Sequence, residues 1–493
     1  MSVLLFVLGL SGPVHALPPA DRLARETAVA YLAPGGAAPT EPWWSGFQDP
    51  ALSALIDRAL TDNLALDAAW HRVDQARAGS YTQAGALLPT ANLSTGWARN
   101  STDAMVQQTV NNLSGSTPLS DDELQEQVED NFGESYDTRN WRLQGAWTLD
   151  VFGVTTTTWL ASRWDRKAAE GSRSARAIAV ASAVGGAWFD LVAARERLEF
   201  VQEQVRISHE LEEIVRLRFE GGQTSALDVF QQQQQVATIE AALPAARAAF
   251  DRTGYRLASL LGVSPVAFAP DSLALPATLP APPPAPGLGR PGDLVDRRPD
   301  LAAAVASAEA ADLRRLSAWL GLAPTLQLSG YTGEQGQILG ADETDWSDVT
   351  AWQYGLTATV PLFNGGRKFT AARAQAAGAR AAMSDLQQST IDAVREVEDA
   401  NRVLQQRGEE LVARTAQVEA ARRAFNESRN RYLQGLDAYV NVMTALNIQQ
   451  SAELALIQSR RDVLTAHINL NDALGAPWAR SLERTASSAA GDR

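Results

Sequence analysis

Two stretches of this chain read as single helices too long for any one globular core, and this limits the folds open to it more than any other feature. Residues 155–220 are rich in Ala, Arg, Glu, Leu and Gln and hold no proline. At about 1.5 Å per residue they make a helix of roughly 100 Å. Apolar side chains recur at sevens, at Leu191, Leu198, Val205 and Phe219, with Glu212 breaking the series. Such a helix is expected to lie along others as a coiled coil. A second run of the same kind covers about 367–434.

Each run stops at glycine and is followed by another helical pattern, residues 225–262 after Gly221-Gly222 and residues 437–475 after Gly435. Glycine readily takes the left-handed conformation that ends a helix, so Gly221, Gly222 and Gly435 are read as hairpin tips. One offset of 213 positions carries Gly222 onto Gly435, Leu191 onto Leu404, Leu198 onto Leu411, Val205 onto Val418, Arg218 onto Arg431, Arg247 onto Arg460 and Leu261-Gly262 onto Leu474-Gly475. Heptad coincidence explains some matched leucines. It does not explain the tips RFEGG and RYLQG in one register, which mark a tandem duplication.

Outside the hairpins the period changes from about 3.6 to 2 in four places, which predicts strands near 89–100, 140–152, 323–333 and 351–363. The duplication extends here, with LPTANLS at 88–94 echoed by APTLQLS at 323–329. Alternation alone fits a half-buried sheet of a soluble domain as well as a membrane barrel. Two features favour the barrel: the strands are roughly ten residues long, as a tilted bilayer-spanning strand must be, and Trp97, Trp141, Trp147, Trp352 and Tyr354 crowd them where a barrel carries its aromatic girdles. Four strands cannot close a membrane barrel, so strands of this kind imply several chains sharing one.

Composition narrows the function. Cysteine is absent and the four histidines, His15, His71, His209 and His467, are scattered, which leaves no thiol nucleophile, disulfide or metal-ligand spacing. The formal charge of −14 argues against a nucleic-acid partner. Adjacent carboxylates such as Asp121-Asp122 and Glu212-Glu213 do not face one site, so no enzyme, cofactor or metal is expected. Residues 1–16 carry an apolar run and a Val14-His15-Ala16 end, the pattern of a signal peptide lacking its positive n-region; a buried N-terminal strand or helix would look the same. Beyond it no run of 18 apolar residues appears.

The domain order expected is therefore a signal peptide 1–16, an N-terminal extended segment 17–50, a first repeat 51–262 with its hairpin at 155–262, a Pro-rich connector 263–292 containing APPPAP, a second repeat 293–475 with its hairpin at 367–475, and a tail 476–493.

Within this frame the chain resembles the TolC-like outer-membrane efflux proteins, and among them the OprM-type and NodT-type channels. The resemblance is carried by WWSGFQDPALSALIDRAL (43–60), RRPDLAAAVASAEAA (297–311), APTLQLSG, VPLFNGG (360–366) and the two tips, in family order across roughly 41–475. It implies an α+β membrane protein. Each chain of a homotrimer would give four transmembrane strands to a 12-strand outer-membrane barrel and two coiled-coil hairpins to a long periplasmic α-helical barrel. The implied function is the exit duct of a tripartite efflux pump, with a periplasmic adaptor and an inner-membrane RND-type transporter as partners. Many relatives are lipidated on an N-terminal cysteine, which this sequence lacks. The barrel is therefore expected to anchor it in the outer-membrane lipid.

The resemblance also implies a gate at the periplasmic tip. Carried over from the tip glycines, Tyr432 lies three before Gly435 and Asp228 six after Gly222, which makes them the implied latch, a phenol donating to a carboxylate. Where relatives place acidic rings, this chain has Asn441 and Thr444; Val440 supplies an apolar ring and Asp437 is the nearby acid on that hairpin. The expectation is a weaker cation preference than that of an aspartate-ringed channel. Rival readings are an exit duct for type I protein secretion or metal efflux, and a soluble periplasmic coiled-coil adaptor, which would not explain tryptophan-rich strands.

Overall fold

The computed structural model describes residues 17–28, 31, 36, 38–39, 41–101, 103–113, 120, 122–123, 125–127, 135–338, 347–476, 478–479 and 482. The expected leader lies outside them. Apart from one-turn helices, the elements in chain order are α1 (Ala20–Thr27), α2 (Pro50–Asp62), α3 (Leu64–Gly85), β1 (Thr90–Ser101), α4 (Asp103–Leu113), β2 (Ser135–Leu149), α5 (Val154–Glu220), α6 (Ala226–Leu260), α7 (Pro299–Leu320), β3 (Thr325–Ile338), β4 (Ser347–Thr359), α8 (Arg367–Leu433) and α9 (Tyr439–Leu474). They fall into two compact units, one of Met1–Arg77, Trp164–Glu309 and Arg380–Arg493, the other of Ala78–Arg163 and Ala310–Ala379.

The second unit holds the sheet, antiparallel in the order β1-β2-β3-β4. Its register places Leu93 beside Leu143, Leu143 beside Thr332, Trp147 beside Leu328 and Leu328 beside Leu356, so Leu93, Leu143, Trp147, Leu149, Leu326, Leu328, Tyr354 and Leu356 share one face. The other face carries Asn92, Ser94, Arg142, Gln144, Thr148, Gln327, Ser329, Gln353 and Thr357. An apolar row on one side and a polar row on the other is the pattern of a barrel strand between lipid and a wet lumen, and here the apolar row is exposed, with Leu93 at 71% and Leu356 at 62%. Neither edge is paired within the chain: the outer sides of β1 and β4, 12 and 13 residues long, present open hydrogen-bonding groups.

Three strands start and end differently from the alternation reading. Toward the loops, β2, β3 and β4 run on through polar residues, because charges pair across strands there: Arg99 Nε lies 2.7 Å from Asp137 and Arg139 2.7 Å from Asp348. At the other end β2 stops at Leu149 because the Asp150 carboxylate caps α5, accepting from the N–H of Thr155 at 3.0 Å and of Thr156 at 2.6 Å.

The first unit holds α6 and α9, of 35 and 36 residues, and most of α5 and α8, each 67 residues long, whose first residues belong to the second unit. The tips are built alike. Gly222 and Gly435 both take positive φ, 67° and 75°, where a side chain would be strained. Gln223 N–H donates to Arg218 O at 2.8 Å and Leu436 N–H to Arg431 O at 2.9 Å, the same backbone closure 213 positions apart.

An 18-residue window of α5 has mean hydropathy 1.7, enough by composition to cross a membrane, yet 61% of it is buried in the protein. Its apolar residues serve a core. Val180, Ala181, Val184, Trp188, Phe189 and Leu191 pack with Trp43, Trp44, Phe47, Leu52 and Ile56. This accounts for the WWSGFQDP motif. Asp49 caps α2, accepting from Ala51 N–H at 2.9 Å and Leu52 N–H at 3.1 Å, while its second oxygen accepts from Trp188 Nε1 at 2.9 Å. Gly185 leaves room for the Trp43 ring, which a Cβ there would approach to 2.3 Å.

The RRPD motif ties the end of α9. Arg297 donates to Leu474 O at 3.3 Å and Pro39 O at 2.6 Å. Arg298, only 12% exposed, sits between Asp300 and Glu396, each at 2.7 Å, and donates to Ala473 O at 3.3 Å. Asp472 lies beside this network; burial pushes its carboxyl up to about 6, with Arg298 pulling it down and Asp300 and Glu396 raising it. A carboxyl raised in the folded state leaves stability intact below its ordinary value of 3.8 and withdraws it as pH climbs through about 6. Asp472→Asn should therefore add roughly 1–2 kcal/mol at pH 7.5 and nothing at pH 4. Thermal unfolding at the two pH values checks this, and equal shifts at both would refute it.

Candidate functional site

At the tips, the last turn of α5 meets the last turn of α8 and the first turns of α9. Leu211, Val215, Phe425, Tyr432, Tyr439, Val442 and Leu446 form one buried cluster. Its polar tie is not the pair expected from the sequence. The Tyr439 hydroxyl donates to Gln232 Oε1 on α6 and lies 2.7 Å from Met443 Sδ, while Gln232 Nε2 donates to the Ser208 carbonyl at 2.5 Å. Burial, with Tyr432 and Asp228 nearby, raises the Tyr439 phenol well above its ordinary value, so it remains a donor at any physiological pH.

A second tie joins the hairpins. Arg218 Nη1 donates to the carbonyls of Tyr432 at 2.6 Å and Leu433 at 3.1 Å at the end of α8, where the Tyr432 carbonyl also accepts from Gly435 N–H at 2.9 Å. Its guanidinium lies 4.7 Å from the Tyr432 ring centroid, and Tyr432 packs edge-on to Tyr439 with centroids 5.6 Å apart.

Tyr432 and Asp228, the implied latch, do not bond within the chain. The Tyr432 hydroxyl is buried with no partner among the described residues. Asp228 is engaged locally, its carboxylate accepting from the Thr224 hydroxyl and from Ser225 N–H at 3.2 Å, which closes the capping box of α6. A carboxylate three residues after an N-cap serine is drawn to its own helix start before it can serve a remote phenol. Gln232 was hidden in the run Gln231–Gln235, which reads as a solvated face; in the structure it is wholly buried. Nothing in its local sequence sets it apart from the other four glutamines, since its partner Tyr439 lies 207 positions away.

Of the constriction residues, Val440, Asn441 and Thr444 are exposed on the first two turns of α9. Asp437 is tied down: it accepts from Asn441 Nδ2 at 2.5 Å and Ala438 N–H at 2.9 Å, and the Asn441 bond is the chief cause holding its carboxyl below the usual range. Thr444 spends its hydroxyl on the Val440 carbonyl at 2.8 Å.

The five girdle aromatics share the apolar face of the sheet and are all substantially exposed. Toward the loop end Trp97 shares the row of the Arg139–Asp348 pair, and Trp141 and Trp352 fall in the next two rows inward. Trp147 lies toward the helical end and donates to Leu87 O at 2.9 Å, while Tyr354 stacks on Trp352 at 5.8 Å. From Trp141 to Leu149 the face runs about 26 Å along the strand, or about 20 Å along the barrel axis at a tilt of about 40°, which fits within an apolar band of about 25 Å.

The sequence profile of the outer membrane efflux protein family matches residues 55–263 and 291–476. The pyoverdine export outer membrane protein OpmQ of Pseudomonas aeruginosa is 27% identical over 480 residues, covering 96% of this chain and 95% of that protein. Nodulation protein T of Rhizobium leguminosarum bv. trifolii is 24% identical over 474 residues, covering 95% of this chain and 94% of that one. Among solved structures, the outer-membrane channel OprN superposes with a TM-score of 0.76 at 24% identity, covering 95% of this chain and 99% of that chain. The one-sided apolar sheet, the paired long hairpins and these matches agree: the chain belongs to the outer membrane efflux protein family and is an outer-membrane channel component, not an enzyme.

Proposed function

We propose that three copies of this chain close one 12-strand barrel and form the exit duct of a tripartite pump, with a periplasmic adaptor and an inner-membrane RND-type transporter completing it. The observation that carries the assembly is the four-stranded sheet with one apolar face, one polar face and two open edges. Edges of 12 and 13 residues are of a length to pair with each other between copies. The duct is passive, and the export role in the name of OpmQ favours a small organic cargo over a protein. Native mass of the detergent-extracted protein tests the assembly, and a monomer would end this reading.

The closed gate in this reading is the tip cluster, with Val440, Asn441 and Thr444 facing the lumen and Asp437 pinned at the start of α9. The Tyr439–Gln232 and Arg218 ties, rather than a Tyr432–Asp228 bond, hold the hairpins of one chain together. Gln232→Leu is expected to raise the current through single channels in planar bilayers about tenfold, since a buried phenol then loses its acceptor. Tyr432→Phe should leave that current unchanged and stabilise the tip by about 1 kcal/mol, because it removes a buried hydroxyl without a partner. A large current from Tyr432→Phe and none from Gln232→Leu would reverse the assignment.

A further inference from the structure

We propose that Arg431 staples each chain to the next in the assembled ring, donating to the carbonyls of Phe219 and Glu220 of a neighbouring copy with its guanidinium over that copy's Phe219 ring. This rests on the reading that several copies share one barrel. Within the chain Arg218 already makes such a contact, to the carbonyls and ring at Tyr432 and Leu433. The repeat offset carries Arg218 onto Arg431, Tyr432 onto Phe219 and Leu433 onto Glu220. Both tips close through the same backbone hydrogen bonds, so the side chains leave them in matching directions. In a ring of copies, first and second hairpins alternate. Each second hairpin then meets the first hairpin of the next copy across the surface that the first presents to the second inside one chain.

The groups this contact needs can be reached: the Phe219 carbonyl accepts from Gly222 N–H at 2.9 Å and keeps a second lone pair, just as the Tyr432 carbonyl accepts from both Gly435 N–H and Arg218. The Arg431 side chain is exposed and makes no hydrogen bond or ion pair among the described residues, its charge acting only at a distance on Asp437. Phe219 is 44% exposed, whereas its counterpart Tyr432, already covered by Arg218, is 4% exposed. Glu220 in the place of Leu433 puts a carboxylate where the guanidinium arrives, a charge complement that the contact within the chain lacks. The other tie has no counterpart, since Gln232 and Tyr439 map onto Ala445 and Ala226. The seam between copies is thus held by the arginine without the buried phenol–amide bond, and it is the seam that parts first when the tips open.

The sequence has no cysteine, so thiol cross-linking reports only on introduced positions. With Arg431→Cys and Glu220→Cys in one full-length chain, a short bis-maleimide applied to the detergent-extracted protein should yield a covalent three-chain band under denaturing conditions, which neither single variant gives. Separately, Arg431→Ala should raise closed-channel current about tenfold in bilayers while the native mass stays that of the trimer. A conducting trimer that gives no chain-to-chain product, or whose Arg431→Ala variant carries the wild-type current, overturns the staple alone. A native monomer overturns the staple together with the shared barrel.

Discussion

Replacing Leu143 with arginine is expected to remove the protein from the outer membrane, whereas the same replacement at Gln144, one residue along β2, should leave its amount there unchanged. Leu143 lies near the middle of the apolar face, between Leu93 on β1 and Thr332 on β3, and is 46% exposed in the chain. Gln144 pairs with Asn92 and Tyr331 on the opposite face. An arginine on the lipid side of a barrel near the bilayer midplane costs about 2–4 kcal/mol, and a ring of three copies incurs it three times. On the lumen side the guanidinium remains in water and only conduction changes. Fractionation of outer membranes followed by native mass measures both variants. Equal recovery of the two would mean that the sheet does not face lipid as its side chains indicate.

The second large effect lies in the other compact unit. Trp188→Ala should lower stability by about 3–5 kcal/mol, since the ring is fully buried in the core that joins α5 to the Trp43–Phe47 turn. It also strips Asp49 of the indole donor at 2.9 Å while that carboxylate still caps α2. Trp188→Phe keeps most of the volume and loses only the N–H, so its cost should be nearer 1 kcal/mol. Protease half-life of the purified protein ranks the variants, because a large membrane protein does not unfold reversibly. If alanine and phenylalanine shortened the half-life equally, the hydrogen bond to Asp49 rather than the packing would be the main contribution.

Much of the fold was legible because the signals are local. Helix length, heptad spacing and the tip glycines depend on residues within a turn or two of each other, and both glycines sit in the left-handed region that their position at a helix end required. The duplication was legible for the same reason, and the paired backbone closures at Arg218 and Arg431 show it in hydrogen bonds. Strand limits were less so. Alternation marks where apolar side chains point, while β2 and β4 continue through Asp137 and Asp348 because Arg99 on the adjacent β1 and Arg139 on β2, reaching across β3, neutralise them.

The gate shows the limit of that legibility. Position relative to a tip glycine led to Tyr432 and Asp228, but a carboxylate answers to every donor within reach, and for Asp228 the nearest belong to its own helix start. Gln232 looked like one of five equivalent polar residues until α9 brought the Tyr439 hydroxyl to it from 207 positions away. By itself the sequence determined the hairpins, their repetition and the two-faced strands, since each follows from the period of neighbouring side chains along one element. Only the tertiary structure decided which polar groups pair at the tip and which apolar stretch of α5 is core rather than membrane span, because hydrogen bonding and burial depend on what distant segments bring within a few ångströms.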